Sequence, residues 1–99
     1  MKKLFISQPM RGKTNDEILA ERCNAIQSAK DALGEDVEVI DSFFKDAPAE
    51  THPLWFLGKS LELLSTADIA YFAPGWSEAR GCKIEHDCAV AYGIHTITA

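Results

Sequence analysis

Residues 69–85 read IAYFAPGWSEARGCKIE, and this stretch decides the predicted fold. Its first four residues are apolar and predict a buried strand. A loop that contains Pro74 and Gly75 follows, and a helix is predicted from about Cys82. A strand, a glycine-bearing loop and a helix N-terminus form the arrangement with which α/β proteins hold phosphates and sugars.

Glu85 falls in the first turn of that predicted helix. The helix dipole favours a carboxylate in this position, so we expect Glu85 to stay ionised and able to act as a nucleophile or base. The alternative is that Glu85 is an ordinary first-turn acid, which is common on any helix. The predicted inward residues of this helix are apolar or small: Ile84, Cys88 and Ala91.

The rest of the chain alternates strand and helix patterns. Strand patterns occur at residues 3–7, 37–40, 69–72 and 94–97. Helix patterns occur at residues 15–33, 53–66 and 82–92. Thr14 and Glu17 form a capping box that predicts the start of the first helix, and Gly34 predicts its end. Residues 43–52 have no regular pattern, and we interpret them as a long connection that could form a lid over the site.

This alternation predicts an α/β fold with a doubly wound parallel sheet and helices on both faces. The whole chain, residues 1–99, has the length of a single domain. Four such strands are most simply ordered 2-1-3-4, so the winding reverses between strands one and three. Ligands bind at such a switch point, outside the carboxyl ends of the strands. The loops at residues 8–13 and 73–81 would border it.

Composition limits the classes of partner. The net charge is −5 and there is no basic run, which argues against a nucleic-acid polymer. No apolar segment reaches membrane-spanning length, and the N-terminus lacks the features of a signal peptide. The three cysteines fit no disulfide framework, which favours the cytoplasm. Cys82 and His86 lie four residues apart, but no further ligands complete a metal site, so we expect none.

The two loops carry the candidate binding residues. Arg11 and Arg80 would each lie near a helix N-terminus, and two guanidinium groups suit a phosphate or a carboxylate. Neither loop has a dinucleotide-binding or nucleoside-triphosphate motif, and we expect no cofactor. Trp76 is either a loop anchor packed on the third helix or a face for a nucleobase. Asp41 either meets ribose hydroxyls or caps a turn.

Three motifs together resemble a known family. They are FISQPMRG at residues 5–12, Ala67-Asp68 before an apolar strand, and Arg80-Gly81-x-x-x-Glu85 followed by Ala89 and Gly93. In this order, over nearly the whole chain, they are similar to the nucleoside 2-deoxyribosyltransferase superfamily, especially its small phage and bacterial branch.

The resemblance implies a flavodoxin-like fold and cleavage of the N-glycosidic bond of 2'-deoxynucleosides or their 5'-monophosphates. Glu85 aligns with the glutamate that attacks the anomeric carbon in this family. The glycosyl-enzyme would then be resolved by another base (transfer) or by water (hydrolysis). Family active sites are often completed by a neighbouring subunit, which implies a homodimer or a higher homo-oligomer. The expected substrate-binding residues are Gln8, Met10, Arg11, Gly12, Asp41, Trp76, Ser77, Arg80 and Gly81.

The sequence departs from the family pattern at several positions. Ala79 replaces a serine of the nucleotide-hydrolysing relatives, although Ser77 is close enough to substitute. Leu61 and Glu62 stand where the family has a catalytic aspartate, so the proton donor would be Glu62 or Asp41. The family's sugar-side aromatic residue on the first loop is also absent, and Met10 lies nearby. The missing serine and aspartate favour the alternative of a catalytically inactive nucleotide-binding module. A third alternative is a small phage-type interaction protein with a vestigial crevice.

Overall fold

The computed structural model describes residues 1–41 and 52–99. The predicted connection and lid at residues 43–52 therefore lie outside the described residues, apart from His52. The strands are β1 (Lys2–Ser7), β2 (Val37–Val39), β3 (Ile69–Phe72) and β4 (His95–Thr98). The helices are α1 (Asn15–Leu33), α2 (Pro53–Leu64) and α3 (Arg80–Ala91), and Trp76–Glu78 forms a short 3₁₀ turn.

The strands form one parallel sheet in the order β2-β1-β3-β4. β1 and β3 lie side by side, with Leu4 opposite Ile69 and Ser7 opposite Phe72. The winding direction reverses between these two strands, as in doubly wound flavodoxin-like folds. The predicted fold class and strand order are confirmed.

Helices cover both faces of the sheet. On one face, Ala25 and Ala29 of α1 pack against residues that include Leu4 and Ile69. On the other, Leu64 of α2 and Ala89 of α3 pack in the cluster that contains Phe5 and Phe72. The alanines allow a close approach of helix to sheet, and the parallel strands at the centre are buried on both sides, as such sheets require.

The ends of α1 follow the predicted capping chemistry. The Thr14 hydroxyl accepts a hydrogen bond from the Glu17 backbone N–H at 3.2 Å. At the other end, Gly34 has the left-handed backbone (φ 70°) and its N–H donates to the Lys30 carbonyl. Glycine adopts this conformation without the steric cost that a Cβ brings, so the helix ends where the sequence predicts.

The position and inward face of α3 differ from the prediction. α3 begins at Arg80 rather than Cys82, and its buried residues are Cys82, Glu85 and Ala89. Ile84 is partly exposed and Ala91 is exposed. Residues three and four apart share a helix face, so the small Ala89 against the sheet brings Glu85 to the same inward side. Glu85 therefore lies in the second turn of α3, not the first.

Candidate functional site

The loops after β1 and β3 lie against each other at the carboxyl edge of the sheet. A Cβ placed on Gly75 would lie 3.7 Å from Cγ of Pro9, which is van der Waals contact. Gly75 has φ 88°, a conformation that other residues rarely adopt, and it starts the turn that leads to α3. The Ala73 N–H donates to the Ser7 carbonyl at 2.9 Å and extends the pairing of β1 with β3 into these loops. The two loops frame the switch point.

A first cavity of about 700 Å³ opens between the end of β1, α2 and α3. Its walls are largely apolar, with Leu54, Phe56 and Leu57 from α2 and Ile84 from α3. Glu85 lies among its lining residues, and is the one acidic residue in the described part of that lining. An apolar cavity with few convergent polar groups is typical of a small-molecule site.

Glu85 is almost completely buried, with 8 % of its surface exposed. The Ser7 hydroxyl donates to its Oε1 at 2.7 Å, and Ser60 of α2 lines the same cavity. Burial raises the pKa of Glu85 above its ordinary value, and the hydroxyl groups of Ser7 and Ser60 partly oppose that rise. The dipole stabilisation expected for a first-turn carboxylate is weak here, because the effect falls off beyond the first turn.

A second cavity of about 690 Å³ adjoins the first and shares Pro9 and Arg80 with it. Arg11 and Lys13 from the first loop and Arg80 from α3 line this cavity, together with one acid, Glu78. Both arginines are exposed. The structure thus brings Arg11 and Arg80 to one concave surface, where a surplus of positive charge suits an anionic group.

Gln8 is held by α1. Its amide Nε2 donates to the Ile18 carbonyl at 3.0 Å and to Glu21 Oε1 at 3.1 Å, and its Oε1 accepts from Arg22 at 3.3 Å. Lys13 donates to Glu21 Oε2 at 2.6 Å. Although burial acts to raise the pKa of Glu21, the hydrogen bonds from Lys13 and Gln8 lower it overall. This network fixes the first loop on α1.

Trp76 packs on α3. Its ring stacks on His86, with 4.1 Å between ring centroids and 29° between planes, and it also contacts Phe72. It does not belong to the described lining of either cavity. This placement matches the first of the two sequence interpretations, an aromatic anchor that holds the loop on the helix.

Four other predicted substrate-binding residues lie outside the described lining of both cavities. Met10 and Gly12 belong to the exposed turn after β1, closed by a hydrogen bond from the Lys13 N–H to the Met10 carbonyl. Ser77 is exposed in the 3₁₀ turn, and Asp41 is exposed beyond β2. Gly81, in contrast, lines both cavities.

Glu62, one of the two suggested proton donors, lies on the outer surface of α2. It is exposed and pairs with Lys59 at 3.5 Å. In the described residues it does not contribute to the cavity that contains Glu85, and neither does Asp41. The side chain that α2 directs toward Glu85 is Ser60, because the helix places residue 60 rather than residue 62 on the inner face.

Sequence reasoning missed several residues of the site: Ser7, His52, Ser60 and Cys82. Ser7 carried a signal, since it is the polar last residue of an otherwise apolar strand at the edge where ligands bind. Ser60 carried none, because one serine in a helix gives no sign of which distant side chain it meets.

Neither a scan against models of known protein families nor a search of curated proteins finds a match to this chain. Within residues 1–41 and 52–99, no group of three or more histidine, cysteine, aspartate or glutamate side chains is arranged to hold a metal ion. No helix in the same ranges has the length and apolar character needed to cross a membrane.

Proposed function

We propose that this protein cleaves or transfers the N-glycosidic bond of 2'-deoxynucleosides or their 5'-monophosphates, with Glu85 as the nucleophile. The observation that carries the proposal is the position of Glu85, a buried carboxylate in an apolar cavity beside a second, cationic cavity. The apolar walls suit a planar base, and the cationic surface suits a 5'-phosphate. In this proposal the sugar lies between these two groups, next to Glu85.

The chemistry proceeds in two displacements. A carboxylate oxygen of Glu85 bonds to C1' of the sugar while the N-glycosidic bond breaks, and the base leaves with the bonding electrons and takes up a proton. A second base or a water molecule then attacks C1', and its bond to the sugar replaces the ester bond to Glu85. Attack requires the carboxylate oxygen at about 3 to 3.5 Å from C1'. The configuration at C1' is retained.

The burial of Glu85 supports a nucleophilic role. A carboxylate with few water molecules around it reacts with a carbon centre without first shedding a hydration shell. The same burial raises the pKa of Glu85, so a smaller fraction is ionised at a given pH than for an exposed glutamate. We therefore expect base release to increase with pH as Glu85 ionises.

The second cavity supports monophosphates as the better substrates. Arg11, Lys13 and Arg80 supply three positive charges against the single negative charge of Glu78. Lys13 is already paired with Glu21, so the two arginines are the principal phosphate ligands in this proposal. Guanidinium groups bind phosphate oxygens in pairs of parallel hydrogen bonds.

The leaving base needs a proton, and His52 is the described residue best placed to supply it. His52 lines the first cavity at the start of α2 and makes no capping hydrogen bond with its side chain. Histidine is the side chain best suited to proton transfer near neutral pH. Glu62 and Asp41, suggested by the sequence, lie outside the described lining of this cavity.

The second candidate function is a nucleotide-binding module without catalysis. The observation that favours it is that the described lining of the first cavity contains no second carboxylate. Such a module would use the same two cavities and would be stabilised by its ligand without converting it.

Assembly as a homo-oligomer belongs to the same proposal. Leu54 and Phe56 are exposed by 75 % and 38 % at the rim of the first cavity, and a neighbouring copy would cover them. Sedimentation velocity of the full chain at several concentrations tests this part, and a monomer at every concentration would contradict it.

The function is tested by incubating the wild-type protein and Glu85→Gln with each of the four deoxynucleosides and their 5'-monophosphates. We expect free base from the wild type and at least about a thousandfold less from Glu85→Gln, because the amide is not a nucleophile. Circular dichroism verifies that both are folded. Ligand-dependent thermal stabilisation without release of base indicates the binding module instead. No release and no stabilisation would reject both.

A further inference from the structure

We propose that Ser7 and Ser60 are positioning residues that clamp the Glu85 carboxylate from two sides, one from the sheet and one from α2. This inference rests on the proposed role of Glu85 as the nucleophile and assigns the groups that orient it. The observation that carries it is that the end of β1, the middle of α2 and the second turn of α3 meet at the cavity that contains this buried carboxylate.

The sheet side of the clamp is rigid. Ser7 is the last residue of β1, it is 2 % exposed, and its backbone pairs with β3 opposite Phe72. Its hydroxyl donates to Glu85 Oε1 at 2.7 Å, the length of a strong hydrogen bond to a charged acceptor. Since the central strands hold the Ser7 backbone, the hydroxyl fixes the direction of the carboxylate relative to the switch point.

The helix side of the clamp links Glu85 to the cavity wall. Ser60 lines the first cavity together with Glu85, and its hydroxyl group acts to lower the pKa of that carboxyl group. The same helix presents Leu57 and Phe56 to that cavity. A shift of α2 would therefore move the apolar wall and one donor of the carboxylate together. Hydrogen bonds from both hydroxyl groups would leave about half of the carboxylate's lone-pair sites available for attack.

The surrounding charges show why hydroxyl groups are needed. The charged or titratable side chains that share the first cavity with Glu85 are His52, Arg80 and Cys82. None of the ion pairs among the described residues includes Glu85. Cys82, three residues earlier on α3, is buried, and burial raises the pKa of its thiol. The buried negative charge of Glu85 thus depends on hydrogen bonds rather than on a counter-ion.

The proposed clamp predicts how the pKa of Glu85 changes when a serine hydroxyl is removed. Hydrogen bonds donated to the charged form lower the pKa of a carboxyl group, so loss of either hydroxyl should raise the pKa of Glu85 beyond its wild-type value. The attacking form is the ionised one. Ser7→Ala should therefore move the rise of kcat/KM to higher pH and lower it at neutral pH by roughly ten- to a hundredfold.

The test is a ¹³C NMR titration of the glutamate carboxyl groups in the wild type, Ser7→Ala, Ser60→Ala and Ser60→Thr, with Glu85→Gln to assign the signal. We expect the midpoint of the Glu85 titration to lie at higher pH in both alanine variants than in the wild type. In Ser60→Thr, which keeps the hydroxyl, the midpoint should stay close to that of the wild type. Ser65→Ala, on the exposed end of α2, is the matched control and should leave the transition unchanged.

The outcomes separate the clamp from the proposed function. If the Glu85 transition in both alanine variants coincides with the wild type, the clamp is rejected, whatever the activity. If the transition moves but the wild type releases no base, the clamp is supported and the nucleophile role fails. If Ser7→Ala does not fold, the titration of Ser60→Ala decides the test. Ser60 is only partly buried, so we expect this variant to fold.

Discussion

Ser7 and Glu85 are 78 positions apart in the sequence, and the Ser7 hydroxyl lies 2.7 Å from the Glu85 carboxylate. This hydrogen bond joins the carboxyl end of a central strand to the inner face of α3. It brings a titratable side chain into the buried layer between sheet and helices. An acid in such a position affects the stability of the fold as well as any chemistry in the cavity.

Glu85 should make the protein less stable as the pH rises. Burial raises its pKa above 4.5, so the folded protein holds this proton more tightly than the unfolded chain does. Stability from this group is thus fully present below about pH 4.5 and is lost as the pH passes through the folded pKa. Glu85→Gln removes the dependence and keeps an oxygen to accept from Ser7.

We therefore expect Glu85→Gln to match the wild type near pH 4 and to exceed it in stability by about 1 kcal/mol at pH 8. Urea denaturation of both proteins across this range is the measurement. A wild type that is the more stable protein at pH 8 would contradict the burial of Glu85 without an ion-pair partner among the described residues.

Glu21 should make the protein less stable as the pH falls, which is the opposite of the effect of Glu85. Burial acts to raise its pKa, but the hydrogen bonds from Lys13 and Gln8 outweigh burial and lower it. The resulting stability is present above about pH 4.5 and is lost as the pH falls through the folded pKa. Glu21→Gln should cost about 1 kcal/mol at pH 7 and progressively less below pH 4. Glu35→Gln, at an exposed site, serves as the control, and equal losses in the two variants would rule out the network.

Arg11 and Arg80 should discriminate a nucleoside from its monophosphate. Both line the cationic cavity, so we expect Arg11→Ala and Arg80→Ala each to weaken binding of a deoxynucleoside 5'-monophosphate about tenfold. The affinity for the matching nucleoside should fall by a smaller factor. Isothermal titration in the Glu85→Gln background prevents turnover, and Lys83→Ala, exposed on the same helix, is the control. A uniform loss for both ligands would exclude a phosphate site here.

Trp76 should contribute more to stability than to binding. Its stacking on His86 and contact with Phe72 predict a loss of about 2–3 kcal/mol for Trp76→Ala and about 1 kcal/mol for Trp76→Phe. Tyr92→Ala, which removes an aromatic ring that is 84 % exposed, should change stability by less than about 0.5 kcal/mol. If Trp76→Phe is as stable as the wild type but binds nucleotides poorly, the ring is a stacking surface after all.

Much of the fold was predictable because its signals are local. The capping box at Thr14, the left-handed glycine at Gly34 and the apolar run 69–72 each act within a few residues of chain. The inner face of α3 was not predictable in the same way. Ile84 is more apolar than Glu85, yet Glu85 is the buried residue, and the Ser7 hydroxyl of β1 supplies the hydrogen bond that its buried carboxyl group requires.

The candidate site, like the fold, was predictable only in part. Strand order alone indicated that the loops with Arg11 and Arg80 would meet, and both residues line one cavity. The sequence did not reveal that Gln8 is held by α1. It also left open whether Trp76 packs on α3, where its ring stacks on His86, or presents a face to a nucleobase. Such contacts depend on side-chain directions that follow from the packing of several elements at once.

The sequence by itself determined the alternation of strands and helices, the doubly wound sheet and the edge at which a ligand would bind, because periodicity, caps and turns are encoded in neighbouring residues. Only the tertiary structure decided that Glu85 is enclosed, that the Ser7 hydroxyl reaches it, that Ser60 shares its cavity, and that its pKa is raised. Burial and hydrogen bonding are properties of the space that distant segments enclose together, and no single segment contains them.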